Sequence, residues 1–221
     1  MVQEAPPVNA KLKNIIIVGE EKSGKTALME KIIQNIPHKK GFLTREDSNI
    51  LLVNSDGEII ESNKGIKVER VTYFVRPFFD GSFQEEVKLG YVDFSLSEEN
   101  KVLRAPNDFT RLKPTIKSLM GKMNGDLAFA DEITLMDGHA PYSPFYDLIN
   151  KFLDTENPFI GTISPYTELD HRLPRDIAIN LDLRSTKISD TARFELTPNN
   201  REEVYQQVMD LIPPKYKIAA A

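Results

Sequence analysis

The sequence predicts an α/β protein: a doubly wound, mainly parallel sheet with an antiparallel β unit inserted after the first helix. Three observations predict it. The run "NIIIVG" (residues 14–19) is continuous, apolar and rich in β-branched side chains, as a strand buried on both faces of a parallel sheet must be. A glycine-containing loop and an amphipathic helix come directly after it, the opening of a strand–helix–strand crossover. Farther along, apolar runs of strand length alternate with helical patterns, the rhythm of a parallel sheet with helices on its faces.

The elements run in order along the chain. "MVQEAPPVNAKLK" (residues 1–13) lacks the apolar centre of a signal peptide and reads as a short flexible tail. Leu28, Met29, Ile32, Ile33 and Ile36 recur at helical spacing, and Pro37 stops the pattern. From about residue 41 to 107 the character changes to β. "NILLVNSDGEII" places two β-like runs around the turn Ser55-Asp56-Gly57, and "IKVERVTYFV" and "EEVKLGYVDFSL" alternate apolar and polar side chains. A connecting helix is expected from about Phe109 to Met123, with Pro114 near its start. "DLAFADE" then reads as a short buried strand ending in two acids. Ser143 and Pro144 suit the start of a helix whose stripe is Phe145, Leu148, Ile149, Phe152 and Leu153. "PFIGTIS", "IAINLDL" and "ARFEL" read as further strands. The last helix begins near "PNNREE", where Asn200 and Glu203 have capping-box-like spacing. It turns Val204, Val208, Leu211 and Ile212 inward and ends at Pro213-Pro214. Residues 14–214 thus read as one domain.

Composition narrows the function. The chain has 221 residues, 40% hydrophobic and 28% charged, enough for one substantial core. No apolar stretch approaches the roughly 20 residues that cross a bilayer, which with the polar N-terminus points to the cytoplasm and to no membrane partner. With no cysteine, disulfides, zinc–thiolate sites and thiol catalysis are excluded. A net charge of -5 argues against nucleic acid as a partner, and "HKK" (residues 38–40) reads as solvated surface. His38, His139 and His171 match no metal-ligand spacing, and no G-x-S-x-G nucleophile elbow is present.

The chemistry-bearing stretch is "GEEKSGKT" (residues 19–26), which fits G-x-x-x-x-G-K-[ST], the Walker A pattern. Its glycines allow successive N–H groups to turn inward, and the helix N-terminus adds its dipole to the same concavity. The expected nucleotide-binding set is Gly19, Glu20, Glu21, Lys22, Ser23, Gly24, Lys25, Thr26 and Ala27. Lys25 would reach the β- and γ-phosphates, and the Thr26 hydroxyl would be a ligand of Mg²⁺. Glu20 and Glu21 would repel a polyphosphate unless they point outward, and Lys22 offsets them in part.

Such a loop works with an acid at the end of a neighbouring strand. "LAFADE" supplies Asp131 for the metal and, one residue on, Glu132 to orient or deprotonate a water aimed at the γ-phosphate. The fold class is accordingly read as a P-loop NTPase. Guanine specificity usually shows as N-K-x-D. "NKGI" (residues 63–66) and "TKIS" (residues 186–189) both lack the aspartate, so a GTPase switch of the Ras type is disfavoured and the base stays open.

Four blocks together resemble the THEP-type, or cancer-related, nucleoside-triphosphatases. They are the glycine loop with its helix; "GFLTRE" (residues 41–46); "DEITLMD" with "SPFYDLINKFL" after it; and "ELTPNNREEV" (residues 195–204). The order and approximate spacing match over most of the chain. Departures are Glu21-Lys22 in place of a frequent Pro-Gly, Thr134 for glycine, Asp137 for glutamate, and a stretch from about residue 59 to 107 that does not align. The resemblance implies slow, Mg²⁺-dependent hydrolysis of several nucleoside triphosphates, ATP and GTP among them, with little base discrimination. It implies Lys25 and Thr26 on phosphate and metal, Asp131 on the metal and Glu132 on the water, with Arg45 and Arg201 as charge stabilisers.

Two other readings stand beside a triphosphatase. Arg172 and Arg175 in "DHRLPRD" flank a loop as lid arginines do in nucleotide kinases, which would pass the γ-phosphate to a small acceptor. A nucleotide-gated binding module serving a protein partner is the third, with the β unit as its docking surface.

Overall fold

The computed structural model of the chain describes residues 14–20, 22–61, 65–97, 102–104, 113–121, 125–132, 152, 157–164 and 191–218. Among them nine strands form one mixed sheet: β1 (Asn14–Gly19), β2 (Lys39–Val53), β3 (Ile66–Phe79), β4 (Ser82–Phe83), β5 (Val87–Ser95), β6 (Val102–Arg104), β7 (Leu127–Asp131), β8 (Phe159–Ile163) and β9 (Thr191–Leu196). The helices are α1 (Lys25–Gln34), α2 (Lys113–Met120) and α3 (Arg201–Leu211), with a short 3₁₀ turn at Pro214–Tyr216. The architecture is α/β. The expected tail (residues 1–13), the helix expected from Ser143 (save Phe152) and the strand "IAINLDL" lie outside the described residues.

The strand order is β6-β5-β3-β2-β7-β8-β1-β9, with β4 paired to β3. From β2 to β9 every pairing is parallel, and from β2 to β6 every pairing is antiparallel. The antiparallel strands that follow α1 are therefore continuous with the parallel half of one sheet. Strand β2 belongs to both halves: Lys39–Leu43 pair with β7, while residues 41–53 pair with β3. At fifteen residues it outruns the parallel strands and carries the antiparallel half beyond their carboxyl ends. The turn expected at Ser55-Asp56-Gly57 forms, held by the Asn54 side chain accepting from the Asp56 and Glu58 N–H groups at 2.8 and 3.0 Å. Beyond the turn, the expected second run makes only the single bridge Val53↔Ile59, and β2 takes β3 as its long partner instead.

Strands β1, β7 and β8 are buried along their whole length, as their apolar runs require. Side-chain alternation divides the core in two. On one face Leu28, Met29, Ile32, Ile33 and Ile36 pack with Val204, Val208 and Ile212 against Ile15, Ile17, Leu127, Phe129 and Ile160. On the other, Ile116 and Leu119 of α2 and Phe152 cover Ile16, Val18, Phe42, Ala128 and Ala130. Each fully buried aliphatic side chain contributes roughly 1.5–3 kcal/mol, so the stripe on α1 anchors the loop before it. At Gly41 the β2 backbone lies close against β7, since a Cβ there would stand 1.9 Å from the Phe129 carbonyl oxygen.

Two local expectations are corrected. "HKK" is solvated surface only at His38, which is exposed. Lys40 is buried, and the Lys39 ammonium caps the end of α1 by donating to the Ile33 and Ile36 carbonyls at 2.8 and 2.9 Å. Burial there lowers the Lys39 pKa. Asn200 precedes α3 but makes no side-chain cap bond. Its oxygen accepts from the Thr197 N–H (2.7 Å) and its nitrogen donates to the Glu195 carbonyl (2.9 Å), tying off the turn after β9.

Candidate functional site

Parallel registry explains why polar residues from four strands meet. The pairs Val18↔Ile163 and Leu43↔Asp131 lie at the carboxyl edge. One residue beyond them stand Gly19, Ser164, Thr44 and Glu132.

The glycine loop leaves β1 at Gly19 and enters α1 at Lys25. Gly24 adopts φ 94°, in the left-handed region where a side chain is strained, and its carbonyl starts the helix by accepting from the Leu28 N–H at 2.9 Å. Glu20 and Lys22 have exposed side chains, Ser23 is buried, and Thr26 and Ala27 sit exposed in the first helical turn. Glu21 lies outside the described residues. Lys25, only 5% exposed, folds back over the loop: its ammonium donates to the Gly19 and Glu20 carbonyls at 2.6 and 3.0 Å.

The two acids after β7 are held differently. Asp131 is fully buried. One of its oxygens accepts from the Thr162 hydroxyl, and Oδ2 has no hydrogen-bond partner among the described residues. Burial pushes its pKa up to about 6; the Thr162 and Thr26 hydroxyls pull down, the Glu132 charge pushes up and Lys25 pulls down. Glu132 lies 3.6 Å, through Oε2, from the Lys25 ammonium. Its Oε1 accepts from the Ser164 hydroxyl, and its backbone N–H donates to Thr44 Oγ1 at 2.8 Å. The Asp131–Glu132 peptide is cis.

Of the arginines, Arg201 reaches the loop: Nε donates to the Ser23 carbonyl at 2.8 Å. Its guanidinium occupies the space beside Gly24, where a Cβ would come within 2.6 Å of Cζ. Arg45 does not reach it. Thr44 faces Glu132, so the next side chain on the strand points to the other face, where Arg45 pairs with Asp47 and with Glu86 (2.7 Å) and stacks over Phe74. These partners raise the Arg45 pKa, and Arg45 in turn holds the Glu86 carboxyl below its ordinary range. Arg172 and Arg175 lie outside the described residues.

Thr44, Thr162 and Ser164 escape sequence reasoning. The signal available was a hydroxyl residue at the carboxyl end of each apolar run, in "GFLT" and "FIGTIS".

The donor set near the helix start consists of hard oxygens: a buried carboxylate with Oδ2 unsatisfied and the Thr26 hydroxyl. That suits Mg²⁺, which takes few protein ligands and completes its shell with phosphates and water. Among the described residues no cluster of three His, Cys, Asp or Glu is placed to hold a metal ion. Also among them, no helix is long and apolar enough to cross a membrane.

Compared with known proteins, the chain matches no protein-family model, and no curated protein is significantly similar to it.

Proposed function

We propose that the chain is a P-loop nucleoside-triphosphatase, a divergent relative of the THEP-type enzymes it resembles, that hydrolyses several nucleoside 5'-triphosphates to diphosphate and phosphate. The observation that carries the reading is Glu132 standing 3.6 Å from Lys25 at the mouth of the glycine loop, beside buried Asp131. An acceptor of phosphate charge and a carboxylate able to take a proton from water share one small space.

Loop N–H groups and the α1 N-terminus hold the phosphates, and Lys25 exchanges its loop carbonyls for phosphate oxygens. Thr26 and Asp131 would hold Mg²⁺, which when bound neutralises charge on the phosphates. A water oxygen attacks the γ-phosphorus, the bond from that phosphorus to the β–γ bridging oxygen breaks, and the water's proton passes to the Glu132 carboxylate. Water is a poor nucleophile, so holding it in line contributes much of the rate. Gly41, at the close crossing of β2 and β7, and Thr44, on the Glu132 N–H, give "GFLTRE" a physical role that supports the family reading.

The test is phosphate release from a panel of nucleoside triphosphates with Mg²⁺ and no acceptor, alongside Glu132→Gln and Lys25→Ala. Nucleotide binding without release would overturn the hydrolase. It would leave the nucleotide-gated module, which one observation favours: Ile59 and Ile66, 62% and 50% exposed, both pair with Val53 at the distal end of β2.

A further inference from the structure

On the face of the sheet that α2 covers, Val75, Tyr73 and Val71 of β3 are buried in the core. Strand alternation gives Glu69 and Lys67 the same facing, farther out along β3. Register sets Ile50 of β2 and Phe94 of β5 beside Glu69, and Leu52 of β2 beside Lys67. Ile50 is 63% exposed, Leu52 and Phe94 are half-buried, and Lys67 is exposed. The face therefore ends in two rows, Ile50–Glu69–Phe94 and Leu52–Lys67, each with one charge beside apolar side chains.

The same half of the sheet carries the apolar surface of the chain. Among the described residues the exposed large hydrophobic side chains are Ile50, Ile59, Ile66, Leu96, Leu103 and Ile218, and all but Ile218 fall between residues 50 and 103. Such a concentration in one part of a chain marks a contact surface.

Charge selects the occupant. A cation and an anion two residues apart suit neither nucleic acid nor an anionic lipid surface, since either would repel Glu69. A second copy of the chain carries the same two charges in the same order. A twofold axis in the plane between two such faces, running across the strands midway between the rows, sets Lys67 of each copy against Glu69 of the other. The same rotation sets Ile50 of each copy against Leu52 of the other, so the surface is complementary to itself.

We propose that this face is the interface of a homodimer, closed by two Lys67–Glu69 ion pairs and by apolar contacts of Ile50, Leu52 and Phe94. The dimer forms whether or not the chain hydrolyses nucleotides.

Sedimentation equilibrium of the full chain without nucleotide, from about 1 to 100 µM, reads the dimer Kd. Circular dichroism checks that each variant is folded. Wild type is expected to dimerise within that range. Ile50→Asp should weaken the dimer at least about 30-fold, because two carboxylates enter the apolar contact. Lys67→Glu and Glu69→Lys should each weaken it about 10-fold, since each creates two like-charge contacts. The double variant Lys67→Glu/Glu69→Lys re-forms both pairs in reverse and should return Kd to within about threefold of wild type. Ile218→Asp, outside the face, should leave the dimer unchanged. A chain that stays monomeric throughout overturns the homodimer. A dimer that Ile50→Asp leaves intact, or a charge reversal that the double variant worsens, overturns its placement on this face.

Discussion

The Lys25 ammonium lies 3.6 Å from Oε2 of Glu132, with the side chains 5% and 12% exposed. The cation to which the proposed function gives the phosphates is therefore shared with a carboxylate. Glu132→Gln removes both the competitor and a negative charge facing the γ-phosphate. ATP should then bind roughly three- to tenfold tighter, the yield of about 1 kcal/mol. Turnover should fall about 10²- to 10⁴-fold, the usual contribution of a general base. Calorimetry and phosphate release check both. Weaker binding in this variant would show that Glu132 supports the lysine rather than competing with it.

Asp131 makes stability depend on pH. Its folded pKa, about 6, is raised above the ordinary 3.8. Between those values the folded protein keeps a proton that the unfolded chain has released, so stability falls as pH rises from about 4 to 6 and levels off above. The charge costs on the order of 3 kcal/mol at neutral pH. Asp131→Asn should raise the melting temperature clearly at pH 7.5 and little at pH 4. Mg²⁺ uses the charged form, so Mg²⁺-dependent ATP binding should weaken below about pH 6. A Tm gain in Asp131→Asn that is the same at both pH values would remove the titration from the account.

Arg201 braces the loop from α3, through its 2.8 Å bond to the Ser23 carbonyl. Arg201→Ala should lower ATP affinity about tenfold while costing no more than about 1.5 kcal/mol of stability, the net value of one hydrogen bond. Gly24→Ala meets both the guanidinium and a backbone at φ 94°, which together should cost about 1–3 kcal/mol. Combining Arg201→Ala with Gly24→Ala should recover part of that loss, because only the clash is relieved. Chemical denaturation of the three variants separates clash from backbone strain.

Gly41 lies inside β2 between β3 and β7, with no room for a methyl group beside the Phe129 carbonyl. Gly41→Ala must push two hydrogen-bonded strands apart and should destabilise the fold by about 3 kcal/mol, at the upper end of overpacking. The same substitution at Gly81 meets no neighbouring atom within 4 Å, though φ 80° strains it. It should cost about 1 kcal/mol. Urea unfolding of the pair tests whether the tight crossing, rather than the loss of a glycine, decides the cost.

Lys25, Thr26, Asp131 and Glu132 were legible in the sequence because each belongs to a local device: a glycine turn opening a helix, or an apolar strand ending in acids. Local chemistry likewise sufficed for α1, β1, β7 and β8, whose apolar patterns admit few alternatives. Tertiary structure alone decided the rest. Thr44, Thr162 and Ser164 became partners of the two acids only through parallel registry, which lines up strand ends 30 to 90 residues apart. Arg201 reached Gly24 because β9 pairs with β1, and Arg45 turned away because a strand alternates its faces. The continuity of the antiparallel half with the parallel half depended on the pairings of β2, and a strand's hydrogen-bond partners are not written in its own residues.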